Sequence, residues 1–224
     1  MTTTTHPGGA TTVNGYDGNG NLTSFTDELF HTWTTEYDQL RRKTKETDPL
    51  GRQTTYTYDL LDNGASGANP NVTSIQLPSG KITKFEYNLD FQKTKETAGF
   101  GSTDAAVTNY NYNINDGTLT SVTDPRGKVT SFTYDGRKRR VTETNALSLT
   151  TTWTYDGAGN TLTVQRPATG SSGLTTNAYD SMNRLTSTTD PAGQATTYAY
   201  GRTTSGDGAD TLVAMVGTSG FRVV

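Results

Sequence analysis

The stretch Asp48-Pro49-Leu50-Gly51-Arg52-Gln53-Thr54-Thr55-Tyr56-Thr57-Tyr58-Asp59 decides how the 224-residue chain is read. Asp first, Pro second and Gly fourth are the preferences of a type I turn: proline presets the backbone angle and the aspartate accepts hydrogen bonds from the turn backbone. The residues after it alternate. Tyr56 and Tyr58 fall on one face of a strand and Thr55 and Thr57 on the other. Threonine and aromatic residues are strong strand formers.

The same string recurs. Asp124-Pro125-Arg126-Gly127 and Asp190-Pro191-Ala192-Gly193 repeat the turn, and Leu77-Pro78-Ser79-Gly80 is a near variant. In all four cases the glycine precedes a tyrosine by seven residues, as in Gly51 to Tyr58 and Gly127 to Tyr134. A constant interval means a strand of fixed length. Tyrosines recur at positions 16, 37, 58, 87, 112, 134, 155, 179 and 200, and six of them precede Asp: Asp17, Asp38, Asp59, Asp135, Asp156 and Asp180. An aromatic residue stands two before the tyrosine in Phe85/Tyr87, Tyr110/Tyr112, Phe132/Tyr134, Trp153/Tyr155 and Tyr198/Tyr200. The other arm reads as in Leu22 to Asp27, Leu119 to Asp124 and Leu185 to Asp190. Extra residues around 60–71, 98–106 and 169–173 sit between the fixed strands, where loops tolerate them. Each repeat is therefore strand, Asp-Pro-x-Gly turn, strand, Tyr-Asp turn. More than about 40% strand and under about 5% helix are expected, with Tyr58, Tyr134 and Tyr155 largely buried and Thr57 and Thr133 exposed.

Composition agrees. Hydrophobic residues are 30% of the chain, aromatics 9%, and the net charge is -3. That is too little apolar material for a thick core, yet the aromatics are too regular for disorder, which leaves a thin β-structure. There is no cysteine, which excludes disulfides and thiolate chemistry. Residues 1–15 are Thr- and Gly-rich without the apolar region of a signal peptide, and no run approaches the roughly 18 apolar residues of a membrane helix. The expected division is an N-terminal segment 1–15, a repeat array 16–200 of about eight repeats, and an irregular segment 201–224.

These strings resemble the YD repeats of the bacterial Rhs family, over residues 16–200. The resemblance extends to Tc-toxin shell components, wall-associated proteins and teneurins. It implies an all-β fold of tandem antiparallel hairpins in one curved, continuous sheet, part of a spiral shell. It further implies a secreted or cell-surface protein, and in toxin members a shell around a variable C-terminal toxin. The family's core-type C-terminal motif, its self-cleavage aspartates and a toxin domain are not found. The chain is therefore expected to be a piece of the repeat region or a short relative.

The sharper chemical readings are weaker. Asp17-Gly18-Asn19-Gly20-Asn21 with Glu28 resembles a calcium loop, but Leu22 stands where glycine is needed and no helices flank it. Arg41-Arg42-Lys43 and Arg137-Lys138-Arg139-Arg140 are followed by Glu46 and Glu143, which favours cross-strand charge pairs on a wet face over nucleic-acid binding. Aspartates at one equivalent position are turn residues before they are catalytic carboxylates. His6 and His31, the only histidines, assemble no triad or metal set. The aromatic-x-Tyr pairs are read as glue between strands ahead of a sugar platform. The expectation is a structural segment, with no catalytic, cofactor or metal residues, no cofactor, no nucleic-acid partner and no membrane insertion. Its partners would be the remaining repeats or an enclosed polypeptide. The alternative is an adhesion module that binds glycans or a cell surface.

Overall fold

The computed structural model describes residues 1–58, 71–168, 173–202, 210–217 and 220–222, and the side chains up to residue 201. The expected insertions at 60–71 and 169–173, and Asp59, lie wholly or mostly outside the described residues. About half of the chain is in strands, and none of the described residues is helical. All strand pairings are antiparallel and join strands adjacent in sequence, from Thr2–Thr5 against Thr11–Tyr16 onward. The fold is all-β, built of tandem hairpins. The arms read from the repeat are found as Leu22–Thr26, Leu119–Thr123 and Leu185–Thr189, and the fixed strands as Gln53–Tyr58, Ile82–Tyr87 and Val129–Tyr134.

Contacts divide the chain into one unit of Met1–Tyr110 with Asp124–Arg126, and a second of Asn111–Thr123 with Gly127–Val224. The division falls inside the strand Ala106–Tyr112. Strands also form outside the expected array, in the N-terminal segment and within 201–224, which was expected to be irregular. Thr11–Tyr16 pairs with Leu22–Thr26, and Asp210–Gly217 pairs with Ala195–Arg202. The latter lacks a Tyr-Asp marker, so the period did not reach it. Its backbone is nonetheless held by the preceding strand's ladder.

No hydrophobic residue among the described residues is buried. Tyr58, Tyr134 and Tyr155 are half-buried, short of the expected burial, while Thr57 and Thr133 are exposed as the alternation requires. The reason is that a single sheet layer covers a ring from the sides, by neighbouring strands, and leaves its outer surface open. Thr97, at 7% exposure, is the best-covered polar side chain.

Candidate functional site

Most of the turns share one hydrogen-bond pattern at both ends of the hairpins. In the Asp48 turn the Gly51 N–H donates to the Asp48 carbonyl at 2.9 Å and the Asp48 N–H to the Arg52 carbonyl at 3.0 Å. The Asp48 carboxylate accepts the N–H groups of Leu50 and Arg52, each at 2.9 Å. The Tyr-Asp turns repeat this pattern: Asp38 accepts from Leu40 and Arg42, Asp135 from Arg137 and Arg139, Asp180 from Met182 and Arg184. The aspartates are turn residues, as expected. Asp17 is one of them, bonded to the N–H groups of Asn19 and Asn21. Its other oxygen accepts the Asn21 side-chain amide, which also lies where a calcium ligand would.

The fourth turn residue is in the left-handed region. Glycine fills it at Gly51, Gly80, Gly127 and Gly193, with φ of 74 to 80°. Phe30, Arg41, Phe91, Lys138, Ser148 and Asn183 fill it elsewhere, at φ of 59 to 64°. For residues other than glycine and asparagine that conformation is unfavourable.

The register shifts once per hairpin, immediately before each repeat tyrosine whose pairing is described. Tyr37 pairs with Lys43 while Glu36 pairs with Lys45, so Thr44 is an extra residue in its strand. In a regular strand residues three apart point to opposite faces; one bulged residue between them puts them on the same face. The bulge hydroxyls of Thr73 and Thr94 donate to the carbonyls of Thr57 and Glu86 at 3.1 and 3.2 Å, which fills gaps in the ladder.

The bulge corrects the reading of the basic runs. Lys43 meets Glu46 at 2.5 Å, Lys93 meets Glu96 at 2.7 Å, and Arg140 meets Glu143 at 2.8 Å, each within one strand. They lie on the aromatic face, within a strand and not across two, and stay partly exposed there. Lys43 lies over Tyr56, Lys93 over Phe85 and Tyr110, and Arg140 over Phe132 and Trp153. The Glu46 carboxylate also accepts the Tyr56 hydroxyl at 2.5 Å. Partial burial, with that carboxylate beside it, pushes the Tyr56 phenol up to about 12. Cross-strand charge pairs do occur on the opposite face, as Glu36–Lys45 and Glu86–Lys95.

Six of the repeat tyrosines reach back one repeat. The hydroxyls of Tyr37, Tyr58, Tyr87, Tyr155, Tyr179 and Tyr200 donate to the carbonyls of Leu22, Lys43, Val72, Arg140, Thr161 and Leu185, at 2.7 to 3.1 Å. Each acceptor is the residue paired with the preceding repeat tyrosine. Arg42, Arg139 and Arg184 make a second tie. Each binds its own turn aspartate at 2.7 Å and lies 4.3 to 4.7 Å from the ring centre of the next tyrosine, Tyr58, Tyr155 or Tyr200. This role was missed; the recurring Asp-x-x-x-Arg interval was the signal for it.

His6 and His31 each meet one acidic side chain of the turn 27–31. His6 lies 3.6 Å from Glu28, and His31 Nδ1 lies 2.9 Å from Asp27. Among the described residues no three His, Asp or Glu side chains converge as a metal set.

With the hairpin, its capped turns and its tyrosine ladder described, sequence likeness is decisive. The RHS Repeat family matches residues 16–53 and 112–148. Those two stretches are similar to RHS repeats. Among curated proteins no sequence matches it. Solved structures share this chain's fold at low identity. The crystal structures of TcdB2-TccC3-TEV and of TcdB2-TccC3 each align over 93% of this chain at 15% identity, with TM-scores of 0.64 and 0.65. TcdB2-TccC3 without its hypervariable C-terminal region aligns over 94% at 13% identity, with a TM-score of 0.54. This chain spans only 11 to 15% of the length of those chains.

Proposed function

We propose that the chain is a structural segment of an RHS-repeat shell, which encloses or displays a polypeptide within a larger secreted or cell-surface bacterial protein. The observation that carries this is the tyrosine ladder. Six hairpins are fastened to the preceding ones by a tyrosine hydroxyl–carbonyl bond, and three of these also by an arginine, so sheet is added without a thick core. Such a construction makes wall, not pocket. The role is passive: the turn aspartates and the aromatic-face charges satisfy one another, and none is set aside for proton transfer.

The test is limited proteolysis of the complete open reading frame that contains these repeats. A neighbouring polypeptide enclosed by the sheet resists protease until the repeats are unfolded. Cleavage of that polypeptide as fast as its free form, with the repeats still folded, would refute enclosure.

One observation favours a second reading, binding of a carbohydrate. Trp33 stacks on Phe25 at 5.6 Å between ring centres and stays 39% exposed. It lines a cleft of about 250 Å³ shared with Glu46 and Arg52. An aromatic surface beside a carboxylate and a guanidinium suits a sugar ring. Calorimetric titration with neutral and acidic oligosaccharides, against the chain and Trp33→Ala, separates the readings: heats that Trp33→Ala leaves unchanged dismiss this one.

A further inference from the structure

Six peptide bonds among the described residues join an asparagine or aspartate to a glycine: Asn14–Gly15, Asp17–Gly18, Asn19–Gly20, Asp116–Gly117, Asp135–Gly136 and Asp156–Gly157. Each has the atoms for one intramolecular reaction. The glycine nitrogen attacks the carbonyl carbon of the preceding side chain and closes a five-membered imide. Glycine permits this because no Cβ crowds the approach and its backbone turns easily. The reaction further requires a neutral side chain that is free to rotate and a backbone that is free to follow it.

The fold withholds those conditions from five of the six. The four aspartates are bound as carboxylates, which are poor targets for a nucleophile. Asp17, Asp135 and Asp156 each accept two N–H groups of their own turn. Asp116 accepts the N–H and the hydroxyl of Thr118, at 2.9 and 2.8 Å. Such donors favour the charged form of a carboxyl. Asn14 is neutral, but it lies in the strand Thr11–Tyr16 and pairs with Thr2 on one side and Phe25 on the other. The glycine after it, Gly15, is buried, and a Cβ there would collide with the Ser24 hydroxyl. The strand has no room to turn.

Asn19–Gly20 is different on each count. Asn19 is the third residue of an exposed four-residue turn. Its backbone N–H is held by Asp17, while its side-chain amide makes no hydrogen bond to any described residue. Gly20 stands at φ 83° with nothing near the place a Cβ would take. The attacking nitrogen is restrained by one bond, from the Gly20 N–H to the Asp17 carbonyl at 3.1 Å.

We propose that Asn19 is a site of spontaneous deamidation. Hydroxide takes the Gly20 amide proton, and the nitrogen attacks Cγ of Asn19. The new N–Cγ bond forms, the Cγ–Nδ2 bond breaks, and ammonia leaves with a proton from water. Water then opens the imide at one of its two carbonyls and leaves aspartate or isoaspartate at position 19. Either product sets a second carboxylate beside that of Asp17, in the turn that joins Thr11–Tyr16 to Leu22–Thr26. The isoaspartate also adds a methylene to the backbone of that turn. The site stands apart from the enclosure reading, since it depends on this one turn.

The experiment incubates the 224-residue chain at mildly alkaline pH, folded and, in parallel, unfolded in guanidinium. Fragment-ion mass spectrometry follows each asparagine. In the folded chain Asn19 is expected to react about tenfold or more faster than Asn14, because opening one turn bond costs less than opening a strand paired on both sides. In guanidinium the two, each followed by glycine, are expected to react at similar rates. Asn63–Gly64, outside the described residues, is scored separately. Equal rates at Asn14 and Asn19 in the folded chain, or no reaction at Asn19, overturn the proposal. So does a preference for Asn19 that persists unchanged in guanidinium, since the selectivity would then belong to the local sequence and not to the fold.

Discussion

Ser148 and Gly127 occupy the same place in two turns, at φ of 61° and 74°. A glycine visits that region freely and a serine does not. Ser148→Gly is therefore expected to stabilise the second unit by up to about 1 kcal/mol, and Gly127→Ala to destabilise it by about 1 kcal/mol. Urea melts of the two variants check this, and a loss in both would mean that the turn conformation is set elsewhere. The left-handed positions were legible only where glycine stood. Phe30, Arg41 and Lys138 carry no such signal, because tertiary register imposes the turn on them. Tyrosine is the other informative residue. Tyr155 donates to the Arg140 carbonyl at 2.7 Å while Arg139 lies over its ring. Tyr155→Phe removes only the hydrogen bond and is expected to cost about 1 kcal/mol. Tyr155→Ala removes a half-buried ring as well and is expected to cost about 2 kcal/mol or more. Equal losses in the two variants would show that the ring contributes nothing.

At the scale of the element, the hairpin's strands were legible and its bulge was not. The seven-residue interval from glycine to tyrosine located Gln53–Tyr58 and its equivalents because a strand cannot change length without reversing its faces. The bulged position has no fixed residue type: Thr44, Thr94, Val141 and Leu162 all fill it. Its signature is instead the charge pattern three apart. Arg140 and Glu143 share a face only if Val141 is bulged. Reversing one of them, Arg140→Glu, is expected to cost about 1 kcal/mol, and the exchange Arg140→Glu, Glu143→Arg to recover part of it. A double-mutant cycle with no coupling would contradict the shared face.

The turns give the hairpin a pH dependence. The carboxyls of Asp17, Asp135 and Asp156 are held below the ordinary value, first by the side chains of Asn21, Arg139 and Asn160 and then by turn N–H groups. A folded-state value below the unfolded one means that the stability they contribute is present above about pH 4. It is lost as pH falls through the folded-state value. Tyr56 acts at the other end, where its raised phenol favours the folded state below about pH 10 and loses that contribution as pH rises through about 12. Thermal melts are expected to fall off at both extremes and stay level between. Replacing the three turn aspartates by Asn should make the acid limb shallower, since Asp27, Asp38, Asp48, Asp116, Asp180 and Glu46 are held low as well, and should leave the alkaline limb unchanged.

At the scale of the whole molecule the contacts decide how it fails. Within each unit, strands contact the strands next to them in sequence, and no hydrophobic side chain among the described residues is buried. Stability then accumulates as a series of neighbour terms, with no shared core to make the loss of one hairpin the loss of all. Tyr58→Ala tests this inside the first unit. It removes the bond to the Lys43 carbonyl and the Arg42 stacking, both of which join the strands around Lys43–Thr47 and Gln53–Tyr58. Hydrogen exchange is expected to quicken in those strands and in Val72–Gln76, paired with the altered one. Thr11–Tyr16 and Leu22–Thr26, at the far side of the next hairpin, should keep their rates. In the unaltered chain Thr2–Thr5 should exchange fastest, since all four residues are exposed and the strand pairs on one side only among the described residues. A uniform rise in exchange across Met1–Tyr110 would mean that the unit unfolds as a whole. It would also mean that something beyond neighbouring hairpins, such as closure of the sheet on itself or on another copy, holds the unit together.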